Sequence, residues 1–330
     1  MMNWSTGRQG AKSRRATGPR TGMTFAGAVL IIFWLHPLEA TVPMVPADKT
    51  IQIADRVFVI PDQRVPLVPN VGIVVGDDGV LVVDTGMGPA NAAIVLDEVR
   101  KITDKPVRYL VSTHFHPEHN FGAQAFPEET VIIYATAQHQ DLKNKGRRYI
   151  DWFVDMFGDD VRGLLEPVEL IAPDVTFASK AEINLGGLRV ELLYFGKPAH
   201  TNGDTLVYLP EAKILFAGGL VPTRFFPIMA DTDSSGRGWI ESLEAIERLE
   251  IEIVVPGHGE LSDRGQIQAV KSYLSSLESG VAQLRVENQS LEQIQATLVP
   301  EFEQKYPDWE DSYWIKSAVE IFYAERAPDE

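Results

Sequence analysis

The sequence predicts an α/β fold of four layers, an αββα sandwich, from three observations. Apolar runs of strand length alternate with segments of helical spacing, that strand-rich-then-helical order occurs twice along the chain, and histidines recur at strand ends in both halves. A chain of 330 residues can bury a full core, and nothing in its length demands more than one large domain. Its 45% apolar and 23% charged residues fall in the globular range, which disfavours disorder and coiled coil.

Taken in order, the first forty residues differ from the rest. Arg8, Lys12, Arg14, Arg15 and Arg20 precede the apolar run Met23–Leu35, and small residues follow near Ala40, the layout of a secretory signal. Thirteen apolar residues fall short of the ~20 that span a bilayer. Residues 1–40 are therefore expected to be a cleaved signal peptide, the protein to reach the periplasm or the exterior, and the mature chain to carry no membrane span. Residues 41–50, with Pro43 and Pro46, read as a linker.

A domain is then expected over 51–265. Its first half opens with strands at Ile51–Ile60, Val71–Val75 and Val80–Val83, the last two separated by the turn Gly76-Asp77-Asp78-Gly79. Ala92, Val95, Leu96, Val99 and Ile102 are spaced as one face of a helix over Asn91–Ile102. A strand at Val107–Ser112 leads into a histidine cluster, and a strand at Val131–Tyr134 into a helix at Ala137–Lys145. Residues 149–166 read as a helical insertion with its aromatics on one face, suited to core packing or to a lid.

From Val175 the second half begins, with strands at Glu182–Leu185, Leu188–Phe195, Thr205–Leu209 and Ile214–Ala217 and a hairpin turn at Gly186-Gly187. A helix at Trp239–Leu249, a strand at Ile253–Val255 and a C-terminal helical extension over 266–330 complete the order.

Composition narrows the chemistry. The chain has no cysteine, so disulfides, thiolate ligands and a cysteine nucleophile are excluded. Its net charge is −16, and loss of residues 1–40 leaves 25 Lys and Arg against 45 Asp and Glu, or −20. Such a surface repels phosphates, so nucleic acid and anionic membrane are disfavoured and a small molecule is the expected partner.

Five of the seven histidines fall at strand-to-loop junctions. His114, His116 and His119 with Glu118 (HFHPEHN) sit just past a strand, where a loop can fold imidazoles and a carboxylate around one point. His200 (AHTNGD) and His258 (PGHG) occupy equivalent strand ends in the second half. Nitrogen and oxygen donors of this kind suit Zn²⁺.

Together, Val83-Asp84-Thr85-Gly86, the HxHxEH run, His200 and His258, in this order and spacing, resemble the signature of the metallo-β-lactamase superfamily over roughly residues 51–265. The resemblance implies that His114, His116 and His200 bind one zinc, that Glu118, His119 and His258 bind a second with a hydroxide between the two, and that Asp84 orients loop and ligands. The sequence departs from the family at Glu118, where an aspartate is usual, and at Gly219, where relatives place an aspartate or a cysteine. One tight zinc and a second, weaker one are therefore expected.

The implied activity is hydrolysis of an amide, lactam, thioester or ester bond by a zinc-activated hydroxide, with Glu118 orienting the nucleophile and shuttling a proton. Residues 209–220 are similar to the class B β-lactamase strand that ends in a cysteine ligand, which makes antibiotic breakdown one option. Pro222 stands where those enzymes place a lysine for the drug carboxylate, and Arg224 is the candidate to replace it. Gly238-Trp239-Ile240, Val254–Gly259 and the helix at Tyr273–Val286 equally resemble the quinoprotein relay zinc metallohydrolases. The competing expectation is a degenerate member that keeps one zinc for binding or structure.

Overall fold

The structure, a computed structural model, describes residues 42–230 and 233–325, so the signal expected at 1–40 lies outside the described residues. Two sheets form the centre. The first sets β1 (Ile51–Ala54), β2 (Val57–Ile60), β3 (Val71–Val75), β4 (Val80–Val83), β5 (Val107–Val111), β6 (Val131–Ala135) and β7 (Val175–Phe177) side by side in chain order. The second holds β8 (Lys180–Asn184), β9 (Arg189–Leu193), β10 (Leu206–Leu209), β11 (Ile214–Gly218) and β12 (Ile253–Pro256) in the order β12-β11-β10-β9-β8.

Strands β4 and β11 are apolar throughout because both faces are covered. In β4, Val80 and Val82 join an outer core with α1 (Gly88–Ile102), α3 (Thr136–Phe157) and α4 (Asp159–Leu165), while Leu81 and Val83 turn to the core between the sheets. In β11, Leu215 and Ala217 meet α5 (Gly236–Ile246), α6 (Arg264–Val286), α7 (Leu291–Lys305) and α8 (Trp314–Ala324), while Ile214 and Phe216 face the first sheet. The expected αββα sandwich follows from this period-two alternation. The sheets approach closely: a Cβ on Gly72 of β3 would lie 2.4 Å from the Phe216 ring. Truncating a fully buried phenylalanine at such a contact costs on the order of 3–5 kcal/mol.

Several expected boundaries shift. The run Ile51–Ile60 is a hairpin, broken at Asp55-Arg56 with Arg56 at φ 62. Residues 42–50 are docked rather than a free linker: Val45 and Ala47 are buried, and the Asn91 side chain accepts from Val45 N (2.7 Å) and donates to the Pro43 carbonyl (2.9 Å). Residues 149–166 are helical as expected but do not start a new element: α3 runs unbroken from Thr136 to Phe157 before Gly158, at φ 71, turns the chain into α4. Tyr149, Ile150 and Phe153 belong to the outer core. β7 pairs with β6 and closes the first sheet, so the second half starts at β8. The helices after 265 supply the outer layer of the second core, with Tyr273, Leu277, Phe302 and Phe322 all buried in it. No helix among the described residues is long and apolar enough to cross a membrane.

Candidate metal centre

The first-half donors arise from one sharp turn. β5 ends at Val111, and Pro117 opens the short helix α2 (Pro117–Asn120), whose first position tolerates a residue without an N–H. His119 N and Asn120 N both donate to the His116 carbonyl, so the turn folds back on itself and His114, His116, Glu118 and His119 are all buried. His200 lies between β9 and β10, and His258 just past β12. The layered fold brings them to the same place.

Two triads result. His114, His116 and His200 form one, Glu118, His119 and His258 the other, and within each the donor atoms lie within 4.8 Å of one another. His114 Nε2 is 3.1 Å from His116 Nδ1 and 3.2 Å from His200 Nε2. In the second triad His119 Nε2 is 3.2 Å from His258 Nε2, and Glu118 Oε1 is 3.9 Å from that same nitrogen. A tetrahedral Zn²⁺ with ligand distances near 2.1 Å sets its donors ~3.4 Å apart. The extra methylene of Glu118 is therefore accommodated, with the carboxylate on the wide side of the ideal.

The outward nitrogens fix the tautomers. His119 Nδ1–H donates to Asp84 Oδ2 (2.7 Å), His200 Nδ1–H to the Ile228 carbonyl (2.7 Å) and His258 Nδ1–H to the Val68 carbonyl (3.0 Å). Thr113 Oγ1 donates to Asp84 Oδ2 (3.0 Å), which leaves its oxygen to accept from His114 Nδ1–H (3.1 Å). Asp84, at φ 67, also accepts from Thr113 N (2.7 Å), so it links His119 to the residue that precedes His114. The Nε2 atoms of His114 and His200 face each other with their lone pairs, as do those of His119 and His258 once His119 is neutral, while His116 turns Nδ1 toward His114 and its Nε2 has no hydrogen-bond partner.

Burial holds the His114 and His116 imidazoles well below the usual histidine range, and it lowers His200 to about 4 and His258 to about 3. Burial also works against a proton on His119, but the adjacent Asp84 carboxylate outweighs it and the pKa is raised. Glu118 is raised by burial, and its Oε2 is enclosed with no hydrogen-bond partner. Clustered neutral imidazoles and a buried carboxylate oxygen without a donor are what a cation would complete. The donor set fits zinc.

At position 219 the expected lack of a ligand has a steric basis. A Cβ there would lie 2.2 Å from His200 Cδ2, so a side chain and this placement of His200 exclude each other.

Both triads open into a cavity of about 250 Å³. Its walls include residues that sequence reasoning missed: Asp62, Arg64, Val65 and Leu67 before β3, Trp152 and Phe157 on α3, and Tyr313 and Trp314 at the start of α8. Only the aromatic spacing along 149–157 offered a signal for any of them. Asp62 accepts from Gly259 N (2.7 Å), and Asn70 Nδ2 donates to the Pro256 and Gly259 carbonyls, so residues 62–70 brace the loop of His258.

Arg224 does not reach the cavity, contrary to expectation. It takes φ 58, its side chain is exposed, and its carbonyl accepts from Glu310 N (2.8 Å) as residues 224–226 pair with the segment before α8. The arginine at the mouth is Arg64.

Residues 64–258, more than half of the chain, match the sequence profile described as "Metallo-beta-lactamase superfamily". The chain belongs to that superfamily. A linear primary-alkylsulfatase from Pseudomonas sp. (strain ATCC 19151) is 27% identical over 223 residues, 58% of this chain and 42% of the relative. A type 2 metallo-beta-lactamase from Bacillus cereus is 27% identical over 202 residues, 60% of this chain and 70% of the relative. The chain thus spans less than half of the alkylsulfatase.

Among solved structures, a metallo-beta-lactamase from Pontibacter korlensis aligns at TM-score 0.55 and 22% identity, covering 69% of this chain and 98% of its own. A stereoselective inverting sec-alkylsulfatase from Pseudomonas sp. aligns at TM-score 0.68 and 16% identity, covering 83% and 49%. Both share the metallo-beta-lactamase fold with this chain. The two histidine-rich triads are its candidate sites for a divalent metal.

Proposed function

We propose that the chain is an exported, zinc-dependent hydrolase that cleaves an ester, thioester or amide bond, lactams included, in a small molecule held in the cavity above the two triads. The observation that carries the reading is the convergence of six donors, from three separate stretches of the chain, on the floor of a cavity large enough for a reacting group. A zinc ion there supplies Lewis acidity and a water acidic enough to attack at neutral pH.

The protein's own groups do the rest. His114, His116 and His200 would hold the tighter ion, and Glu118, His119 and His258 the weaker. Asp84 and Thr113 fix the imidazoles of His119 and His114 so that no reorganisation is needed on binding. Glu118, buried and with raised proton affinity, is placed to hold and return a proton at Oε2. The curated relatives are named for sulfate-ester and lactam substrates, which brings alkyl sulfates into the set to be tried.

A second reading, a zinc-binding protein without turnover, is favoured by the exclusion of any side chain at 219. One experiment separates the two. The purified chain, its metal content measured, is assayed with nitrocefin, aryl esters, thioesters, lactones and alkyl sulfates, alongside His116→Ala. Turnover by the native chain that is lost in the variant supports the hydrolase, whereas zinc bound with silence across every class overturns it.

A further inference from the structure

We propose that the substrate carries an uncharged alkyl or aryl group, and that this group lies along the aromatic face of α3 from Tyr149 outward to Phe157. The inference rests on the cavity being the substrate site and names what that site selects. A continuous series of rings leaves the metal centre. His116 stacks on Tyr149 (centroids 5.1 Å apart, planes at 20°), and Tyr149–Trp152, Trp152–Phe153 and Phe153–Phe157 follow at 5.4, 5.3 and 5.3 Å.

Positions 149, 152, 153 and 157 share one helix face, so the series is a wall that begins at a metal ligand and ends at solvent. At its outer end Phe157 keeps 39% exposure and, across the mouth, Tyr313 keeps 63%. Large apolar surface left open beside a reactive centre calls for an apolar ligand to cover it.

Charge points the same way. Arg64 is the single Lys or Arg among the described residues lining the cavity. Its guanidinium is already bonded to Glu260 (2.8 Å) and Glu310 (2.8 Å) and lies 4.4 Å over the Phe225 ring. The walls therefore offer an anionic substituent no unpaired cation, and Asp62, Glu310 and Asp311 add negative charge on that side. Tyr313 and Trp314 lie beyond the superfamily match at 64–258, so this half of the mouth is built from residues outside the shared profile.

The test reads binding without turnover. The full chain with its metal is titrated with straight-chain alcohols from 1-butanol to 1-octanol, following intrinsic tryptophan emission. Affinity should rise about threefold to fourfold per methylene until the cavity is filled, and 1,6-hexanediol should bind at least ~10-fold more weakly than 1-hexanol, since its second hydroxyl would be buried without a partner. Phe157→Ser should flatten the series with metal content unchanged, whereas Met156→Ser, exposed and off the cavity wall, should leave it intact. A flat series in the native chain, hexanediol binding as tightly as hexanol, or a Phe157→Ser series as steep as the native one would each overturn the proposal. If the series holds while no hydrolysis is found, the catalytic reading falls and the wall stands as the site of an apolar ligand that is bound without turnover.

Discussion

The two triads are built from the same turn but by different physics. His114, His116 and His200 form a closed cage of imidazoles that burial keeps neutral, with donors 3.1 and 3.2 Å apart. Glu118, His119 and His258 depend on charge: a buried carboxylate 3.9 Å from His258, and a histidine whose proton affinity is raised by Asp84. The first cage is held as neutral imidazoles, whereas in the second His119 is held by its charge-coupled contact with Asp84. A metal should therefore dwell longer in the first.

The sharpest way to break this comparison is to remove one donor from each side. His200→Ala should abolish tight zinc binding and, with several kcal/mol of transition-state stabilisation lost, lower kcat/KM by roughly 10²–10³-fold or more. Glu118→Ala should leave one tight equivalent in place. Metal analysis after exhaustive dialysis checks both, and equal losses in the two variants would show the triads to be a single unit. Asp84→Asn comes next, because it alters the partner of His119 without touching a donor. Loss of such a partner costs about 10–100-fold in metal affinity, and competition with a chelator should assign that loss to the weaker equivalent.

Gly219→Ala sharpens the comparison from the opposite side. Its methyl would press first on His200, 2.2 Å from Cδ2, so the tight site should weaken more than the one formed by Glu118, His119 and His258. Overpacking of this kind costs ~1–3 kcal/mol, which a thermal melt of the variant would register.

How much of this was legible in the sequence depended on distance along the chain. Three histidines within six positions announce themselves, and the alternation of β4 and β11 is written locally. The hairpin inside Ile51–Ile60 was not, because Asp55-Arg56 makes the turn without glycine and Arg56 alone takes the strain. Nor was the place of β7, a strand of three residues whose sheet is decided only by its pairing with β6. The place of Arg224 was not legible for the same reason, and Arg64 gave no signal at all. Both arginines are close to apolar neighbours, and which one faces the cavity is settled by the pairing of Phe225 with Glu310, a contact that spacing does not reveal.

The smallest expected effect concerns protons, and it compares the triads with no mutation at all. At pH 6 a histidine in solution, with pKa ~6.5, is mostly protonated. His200 and His258, lowered to about 4 and about 3, are already neutral there, as are His114 and His116, so zinc displaces no proton from them. His119 is shifted the other way and must give up its Nε2 proton before it can bind. Filling both sites at pH 6 should therefore release about one proton from the imidazoles, and it should come with the second equivalent. Calorimetry in buffers of different ionisation enthalpy counts that proton directly. The same shifts act on the metal-free fold: as pH falls below 6.5 the unfolded chain takes up protons that the lowered histidines refuse, so their contribution to stability is lost progressively toward pH 4, with His119 opposing. Release of two or more protons with the first equivalent would mean that the His114, His116 and His200 cage is not neutral, and the contrast between the triads would fail.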